Sequence, residues 1–260
     1  MILAREIKKR LQLGEATLGT WMSMAHPSIA EILSMSGYEW VVIETEHTAI
    51  DVSEVLRLII AIEQRGCVPL VRLAWNDPIQ AKAVLDSGAA GIIVPMINTK
   101  MDAELAVKMT KYPPEGIRGV GLARAHGYGV DFEEYVKSAN KDTLLIFQIE
   151  HIDAVNNIDE ILSVKGVDGT FIGPYDLSMS LGIPGQLDHP KVKSAMKKVL
   201  EATLEHGLVP GIHLVQPADA VEKCIASISE GYKFIALGTD ILFLGDSARA
   251  LNKDIRSALK

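Results

Sequence analysis

The chain has 260 residues and a formal net charge of −7, from 26 basic and 33 acidic side chains. Its 48% hydrophobic and 23% charged residues describe an ordinary globular protein and exclude a disordered one. The acidic balance opposes phosphate backbones and anionic headgroups, so the reading is no nucleic acid and no membrane as partners. The N-terminal residues 1–10 interrupt their apolar side chains with charges, and no segment reaches the ~18 uninterrupted apolar residues of a membrane span. A cytoplasmic protein without a targeting segment is expected. Cys67 and Cys224 stand apart, with no paired or metal-spaced neighbour, and are read as buried, reduced thiols.

Eight short runs rich in β-branched residues follow one another, at 17–22, 39–44, 68–73, 91–95, 144–150, 169–173, 209–214 and 234–238. Several are almost wholly apolar, such as Val41-Val42-Ile43 and Ile92-Ile93-Val94, which suits strands covered on both faces. Segments of helical periodicity lie between them, at 53–64, 78–87, 102–111, 155–163, 191–206 and 217–230. Asp77-Pro78 reads as an N-cap with proline at the first helical position, and Gly88, Gly207 and Gly231 stand where C-terminal caps belong. Eight strand–helix repeats in one chain without a linker predict a single-domain (β/α)8 barrel of the α/β class. A doubly wound open sheet is the alternative, but Gly119-Val-Gly121-Leu-Ala-Arg124 gives only two glycines of a dinucleotide loop and follows no clear strand. The rhythm stretches once, between Pro95 and Leu144, where a glycine-rich segment, 116–129, is expected to form a substrate or interface loop at the strand ends.

In such a barrel the chemistry sits where strands end at their carboxyl side. The runs deliver Trp21, then Glu44-Thr45-Glu46-His47, Arg72, Gln148 with Glu150, and Gly173-Pro174-Tyr175-Asp176. Glu150 and Asp176 follow adjacent runs, so their carboxylates can share a hard divalent cation such as Mg2+ or Mn2+; the alternative is that each caps a helix or pairs with a lysine. Arg72 offers a fixed cationic fork for a carboxylate or a developing oxyanion, or else a salt bridge at the mouth. His47 follows two acids that can tune it for proton transfer, against a purely structural role. Asp86 lies late in its helix, where the macrodipole disfavours it, so it has either a specific partner or a solvated carboxylate. No lysine ends a run, which disfavours Schiff-base chemistry, and no nucleophile elbow or Walker loop occurs.

These residues resemble a known family, the metal-dependent class II pyruvate aldolases of the HpcH/HpaI type, which include the hydroxy-oxo-heptanedioate aldolases. The resemblance runs nearly end to end. It is carried by Gly19-Thr-Trp21, Ile43-Glu-Thr-Glu-His47, Leu70-Val-Arg72, Leu85-Asp-Ser-Gly-Ala89, Tyr112-Pro-Pro-Glu-Gly-Ile-Arg-Gly119, Gln148-Ile-Glu150 and Phe171-Ile-Gly-Pro-Tyr-Asp-Leu-Ser178. It implies a homo-oligomeric barrel, a hexamer built as a trimer of dimers with the final helix exchanged between subunits. It also implies cleavage of a 4-hydroxy-2-oxo acid to pyruvate and an aldehyde, as in aromatic compound catabolism.

The resemblance assigns roles. Glu150 and Asp176 would bind Mg2+, Mn2+ or Co2+, with Gln148 nearby. Gly173, Tyr175 and Asp176 would line the pyruvate end, with backbone N–H groups near Tyr175 and Asp176 holding its carboxylate. Arg72 would stabilise the enolate, His47 linked to Asp86 would handle the proton, and Trp21 and His213 would border the aldehyde. The chain departs from the family pattern at Glu44, where aspartate is usual, and the extra methylene is expected to move His47. It departs again at His126, which is expected to narrow the pocket, face an interface or lie exposed on its loop. An oxaloacetate decarboxylase, a citrate-lyase-type acyl-CoA lyase and a metabolite-sensing barrel are the other readings.

Overall fold

The computed structural model describes residues 2–216 and 219–259. Eight strands run β1 (Thr17–Met22), β2 (Trp40–Glu44), β3 (Val68–Arg72), β4 (Gly91–Val94), β5 (Leu144–Ile149), β6 (Gly169–Ile172), β7 (Val209–Leu214) and β8 (Phe234–Thr239). All pair in parallel and in sequence order, and β8 closes on β1, giving a (β/α)8 barrel. Five helices belong to its first half: α1 (Ile2–Gln12), α2 (Pro27–Met35), α3 (Val52–Glu63), α4 (Pro78–Asp86) and α5 (Lys100–Thr110). Seven follow: α6 (Phe132–Asp142), α7 (Ile152–Asn156), α8 (Ile158–Leu162), α9 (Pro174–Ser180), α10 (Pro190–Glu205), α11 (Ala220–Glu230) and α12 (Asp240–Ala258).

The strands are buried because helices cover the outside and large side chains fill the lumen. Trp40, Leu70, Ile146, Phe171 and Phe234 are all in the inner cluster. Trp40 and Phe234 stack with ring centroids 4.0 Å apart. Position 19 must be glycine for this packing, because a Cβ there would strike the Trp40 ring. The outer cluster, including Val41, Ile43, Val71, Ile92 and Phe147, packs strands against helices. Alternation between these two clusters along β2 explains why the run Trp40 to Glu44 is apolar without interruption.

The capping signals operate as the sequence predicts. Asp77 accepts a hydrogen bond from Ile79 N with Pro78 at the first position of α4. Gly88, Gly207 and Gly231 have φ of 106°, 68° and 121°, the left-handed side that ends helices. The segment expected as one helix over 155–163 is broken at Asn157, where ψ is 12° and the side-chain amide donates to Asn98 O at 2.9 Å. The predicted start of the 217–230 helix falls at Pro217, outside the described residues; the observed helix follows Asp219, whose φ is 43°.

The glycine-rich segment corrects an expectation. It lies between α5 and β5, on the return path from helix to strand, and so belongs to the amino-terminal end of the barrel. Arg124 pairs there with Glu63 and donates to Ser87 O, groups at the carboxyl ends of α3 and α4. It is therefore no substrate loop at the strand ends. α12 leaves the body of the barrel after its first turns: Asp240 is buried, while Leu244, Leu251 and Ile255 are 61%, 64% and 51% exposed. Among the described residues, no helix is long and apolar enough to cross a membrane.

Candidate active site

Parallel strands all point their carboxyl ends the same way, so the polar residues that terminate β1, β2, β3, β5 and β6 are gathered at one mouth. Glu44, at the end of β2, is only 3% exposed. Its Oε1 accepts the backbone N–H groups of Glu46 at 2.6 Å and His47 at 3.1 Å. Its Oε2 accepts Trp21 Nε1 at 2.5 Å and pairs with Arg72 Nη2. Burial alone would raise its pKa, but the Arg72 charge and these hydrogen bonds hold it below the usual carboxylate range.

Arg72 is the hub of the mouth. Beyond Glu44, its Nη1 lies 3.0 Å from Glu46 Oε2 and 3.5 Å from Gln148 Oε1, and its guanidinium carbon sits 5.5 Å from the Trp21 ring centroid. The approach to Glu46 is poorly aligned, so Glu46 Oε2 is buried without a hydrogen-bond donor, and Arg72 Nε has no acceptor. Burial raises the Glu46 pKa to about 7, against the pull of Arg72 and with the help of the negative charges of Glu150, Glu44 and Asp176.

Across the mouth, Gln148 Nε2 donates to Glu150 Oε2, and the Met96 N–H donates to Glu150 Oε1 at 2.9 Å. Met96 reaches that position with φ of 55°, a conformation costly for a side chain of its size. Glu150 is 3% exposed, and its pKa is raised chiefly by burial; Gln148 and the Met96 amide lower it, while Asp176 raises it further. Gly173 makes room for this carboxylate, since a Cβ there would lie 2.9 Å from Glu150 Cβ and 3.0 Å from its Oε2. Asp176 and Tyr175 open to solvent in the first turn of α9. Among the described residues no three His, Cys, Asp or Glu side chains converge as a metal-binding group; the acidic pair Glu150 and Asp176 is what this side of the mouth provides.

His213 closes the floor beside Trp21, with ring centroids 4.8 Å apart, and Trp21 also stacks on Phe171 at 5.2 Å. His213 Nε2 lies 2.9 Å from Gly238 O, a pure acceptor, so the proton is on Nε2 and Nδ1 is the free acceptor. Its surroundings push its pKa down to about 4, chiefly through burial and then through the Arg72 charge. His47 is exposed at the rim, its Nε2 3.9 Å from Glu46 Oε2. Glu44 touches His47 only through the backbone, so the extra methylene acts on the turn and not on the ring.

The structure brings Trp21, His47, Arg72, Gln148, Glu150, Gly173, Tyr175, Asp176 and His213 to one end, and it does not bring Asp86 there. Asp86 ends α4, which runs antiparallel to the strands, so it sits at the amino-terminal end of the barrel. It meets Arg118 Nη2 at 2.7 Å, within a guanidinium that lies over the Tyr112 ring at 4.6 Å. This specific partner removes the macrodipole penalty, and within the chain Asp86 does not link to His47. His126 is also placed away from the mouth and is 2% exposed rather than open on its loop. Its Nδ1 accepts from Gly129 N–H at 3.1 Å, and its Nε2 lies 2.7 Å from Gly121 O and 3.1 Å from Ala123 N, which folds the loop upon itself. Cys67 and Cys224 are free and buried, as expected.

Sequence reasoning missed two groups. The Met96 amide carries no side-chain signal. The second is Asp240, 4% exposed, whose carboxylate accepts Ser23 N–H at 2.9 Å and Met24 N–H at 2.8 Å and so fixes the loop after Trp21. Its position just past the end of β8 was the available clue.

The depressed His213 pKa gives a pH signature. A histidine that binds its proton more readily when unfolded makes the fold less stable as pH falls from about 6.5 to about 4. The urea midpoint should decline across that window, and His213→Gln should flatten the decline. An unchanged slope would mean that the native imidazole titrates normally.

The profile of the HpcH/HpaI aldolase/citrate lyase family matches residues 17–246. The chain is 38% identical over 251 residues to 4-hydroxy-2-oxo-heptane-1,7-dioate aldolase of Shigella sonnei, covering 96% of this chain and 94% of that one. Among solved structures, an HpcH/HpaI aldolase/citrate lyase family protein from Burkholderia cenocepacia superposes with a TM-score of 0.91 at 33% identity, covering 97% and 99% of the two chains. The citrate synthase SbnG superposes with a TM-score of 0.84 at 31% identity, covering 96% of each chain.

Proposed function

Because the chain belongs to the HpcH/HpaI aldolase/citrate lyase family, we propose that it is a class II aldolase that reversibly cleaves a 4-hydroxy-2-oxo acid to pyruvate and an aldehyde. The observation that carries this reading is the shared mouth: a guanidinium and a histidine beside two carboxylates on adjacent strand ends.

Glu150 and Asp176 fit a divalent cation on their own electrostatics. Burial disfavours the Glu150 carboxylate and Asp176 repels it, so a cation between them would relieve both penalties. When bound, Mg2+, Mn2+ or Co2+ would act as a Lewis acid toward the 2-keto group of the substrate. Gln148 and the Met96 amide aim the Glu150 carboxylate, and Gly173 leaves it room.

Arg72, held by Glu44, places fixed positive charge where enolate charge develops. His47 takes the proton of the 4-hydroxyl as the C3–C4 bond breaks, and its exposure at the rim suits a group that exchanges protons with solvent. Trp21 and neutral His213 form a flat wall for the departing aldehyde, and the Nδ1 of His213 remains available to accept a hydrogen bond. Oxaloacetate decarboxylation leads to the same enolate without a hydroxyl proton, so it is expected as a side activity.

The subunit is further proposed to assemble by exchange of α12, in a hexamer of the family type. The apolar side chains of Leu244, Leu251 and Ile255 repeat at helical spacing and are uncovered within one chain.

Measurements of metal dependence, variant kinetics and assembly test these statements. Chelation should abolish pyruvate release and Mg2+ or Mn2+ should restore it, while Gly173→Ala should weaken Mg2+ binding about 10- to 100-fold by calorimetry in folded protein. Full activity of metal-free protein would remove the cation from the reading. Arg72→Ala should slow cleavage and decarboxylation alike, by roughly 10²- to 10³-fold. His47→Ala should slow cleavage by roughly 10²- to 10⁴-fold and decarboxylation much less. Equal losses in the His47 variant would end the division of labour. Finally, light scattering should show an oligomer that Leu251→Asp with Ile255→Asp dissociates; a monomeric wild type would refute helix exchange.

A further inference from the structure

The aldehyde side of the mouth carries polar groups that the reading above does not use. β1 and β8 meet there, with Trp21 opposite Thr239 in register. Ser23 comes two residues after Trp21, so the alternation of β1 carries its side chain toward the same face. Its Oγ lies 3.5 Å from Thr239 Oγ1, too far for a strong hydrogen bond, and Thr239 already donates to Asp240 Oδ1 at 3.1 Å. The half-buried Ser23 hydroxyl is thus without a firm partner. Its place is fixed all the same, because the Asp240 carboxylate holds the N–H groups of Ser23 and Met24 at 2.9 and 2.8 Å.

His213 adds the complementary group. Its Nε2–H is spent on Gly238 O, the carbonyl just before Thr239, which leaves Nδ1 as an acceptor on a ring stacked against Trp21. The wall therefore combines an aromatic face with one hydroxyl and one imidazole acceptor, and a few polar groups on an apolar surface are what orients a small ligand. Free positive charge is missing from it among the described residues. The charges that act on His213 are those of Arg72 and Glu44, and these two pair with each other. Lys193 and Lys223, on α10 and α11, pair with Asp188 and Asp219. A carboxylate on the aldehyde fragment would meet the Nδ1 lone pair and the buried Glu44 charge, with nothing to offset its desolvation. A hydroxyl can donate to Nδ1 and accept from Ser23.

We infer that this wall selects hydroxylated aldehydes: the acid that is cleaved carries a further hydroxyl on C5, which donates to His213 Nδ1 and accepts from Ser23 Oγ. The inference rests on the proposed aldol cleavage and narrows it to 4,5-dihydroxy-2-oxo acids, the chemical class of the deoxy sugar acids. C1 to C3 belong to the pyruvate end and C4 becomes the aldehyde carbon. C5 is then the first carbon of the leaving fragment that the wall can recognise. Trp21 packs the C–H face of that fragment, while Ser23 and His213 read its hydroxyl.

The test compares steady-state cleavage of three substrates by the full-length, Mg2+-loaded protein: 4,5-dihydroxy-2-oxohexanoate, 4-hydroxy-2-oxohexanoate and 4-hydroxy-2-oxo-heptane-1,7-dioate. Oxaloacetate decarboxylation in the same samples reports folded enzyme. The dihydroxy acid should exceed each of the others in kcat/KM by about 10- to 30-fold, the worth of two neutral hydrogen bonds. The difference should lie mainly in KM, because these bonds form before C3–C4 breaks. S23A and H213F should each remove about five-fold of the preference, the double variant should abolish it, and H213Q, which keeps a donor and an acceptor, should retain part. Since the preference is a ratio within one sample, a partial folding defect cancels. Equal turnover of the two hexanoates by wild type overturns the inference, as does a preference for the dioate or one that survives in the double variant. If none of the three is cleaved while oxaloacetate is still decarboxylated, the aldolase reading itself fails and this inference falls with it.

Discussion

A carboxylate sealed into a barrel mouth must have its acceptor sites filled, and Glu44 meets that demand by drawing groups from three strand ends onto itself. Trp21 comes from β1, Arg72 from β3, and the two amides from the turn that follows β2. Each interaction satisfies Glu44 and at the same time fixes a functional group. The indole becomes a wall, the guanidinium is held over the mouth, and the turn bearing Glu46 and His47 is locked. Breaking a buried charge pair of this kind typically costs about 3–5 kcal/mol, because the remaining ion is left uncompensated. The mouth is thus built around one desolvated ion pair, and its other polar groups are arranged on the periphery of that pair.

The opposite side of the mouth follows a different logic. Glu150 receives neutral donors, Gln148 and the Met96 amide, but no cation of its own, and the nearby Asp176 adds a like charge. Arg72 is close enough to lower its pKa only as the smallest of the influences on it. One wall therefore carries a compensated carboxylate and the other an uncompensated one. Since Glu44 already occupies Arg72, positive charge for Glu150 and Asp176 has to come from outside the chain, which is the physical content of the cation proposal. The strained φ of Met96 is consistent with a site that spends stability on aiming a carboxylate.

Much of this was legible in the sequence for one reason: parallel strands share a direction, so knowing where runs end is enough to know which residues meet. Trp21, Arg72, Gln148, Glu150 and Asp176 were found by that rule alone. The rule fails for residues on helices and return loops, where position along the chain does not reveal which end of the barrel is reached. The family resemblance links Asp86 to His47, whereas within one chain the antiparallel course of α4 carries Asp86 to Arg118. The glycine-rich segment follows the helix expected at 102–111 and so lies on a return from helix to strand, a position that its glycine content does not reveal. The break at Asn157 depends on a carbonyl 59 residues away, which no local pattern encodes. Glu46 shows a further limit, since a missing hydrogen-bond partner is a property of three dimensions only.

Asp240 connects the two scales of the molecule. It is the first residue of α12 and the only described residue of that helix that is buried. Its carboxylate takes the N–H groups of Ser23 and Met24, and also that of Ile241 at 2.8 Å, so the start of the helix and the loop after β1 are joined by one side chain. That loop continues from β1 just past Trp21, whose ring stacks on His213 in the mouth. A helix whose outer turns are uncovered within the subunit thereby begins on the rim of the active site. Any displacement of the start of α12 acts through Asp240 on Ser23 and Met24. Trp21 is thus the part of the mouth most directly tied to α12, while Arg72 and Glu150 are held by Glu44, Gln148 and the Met96 amide.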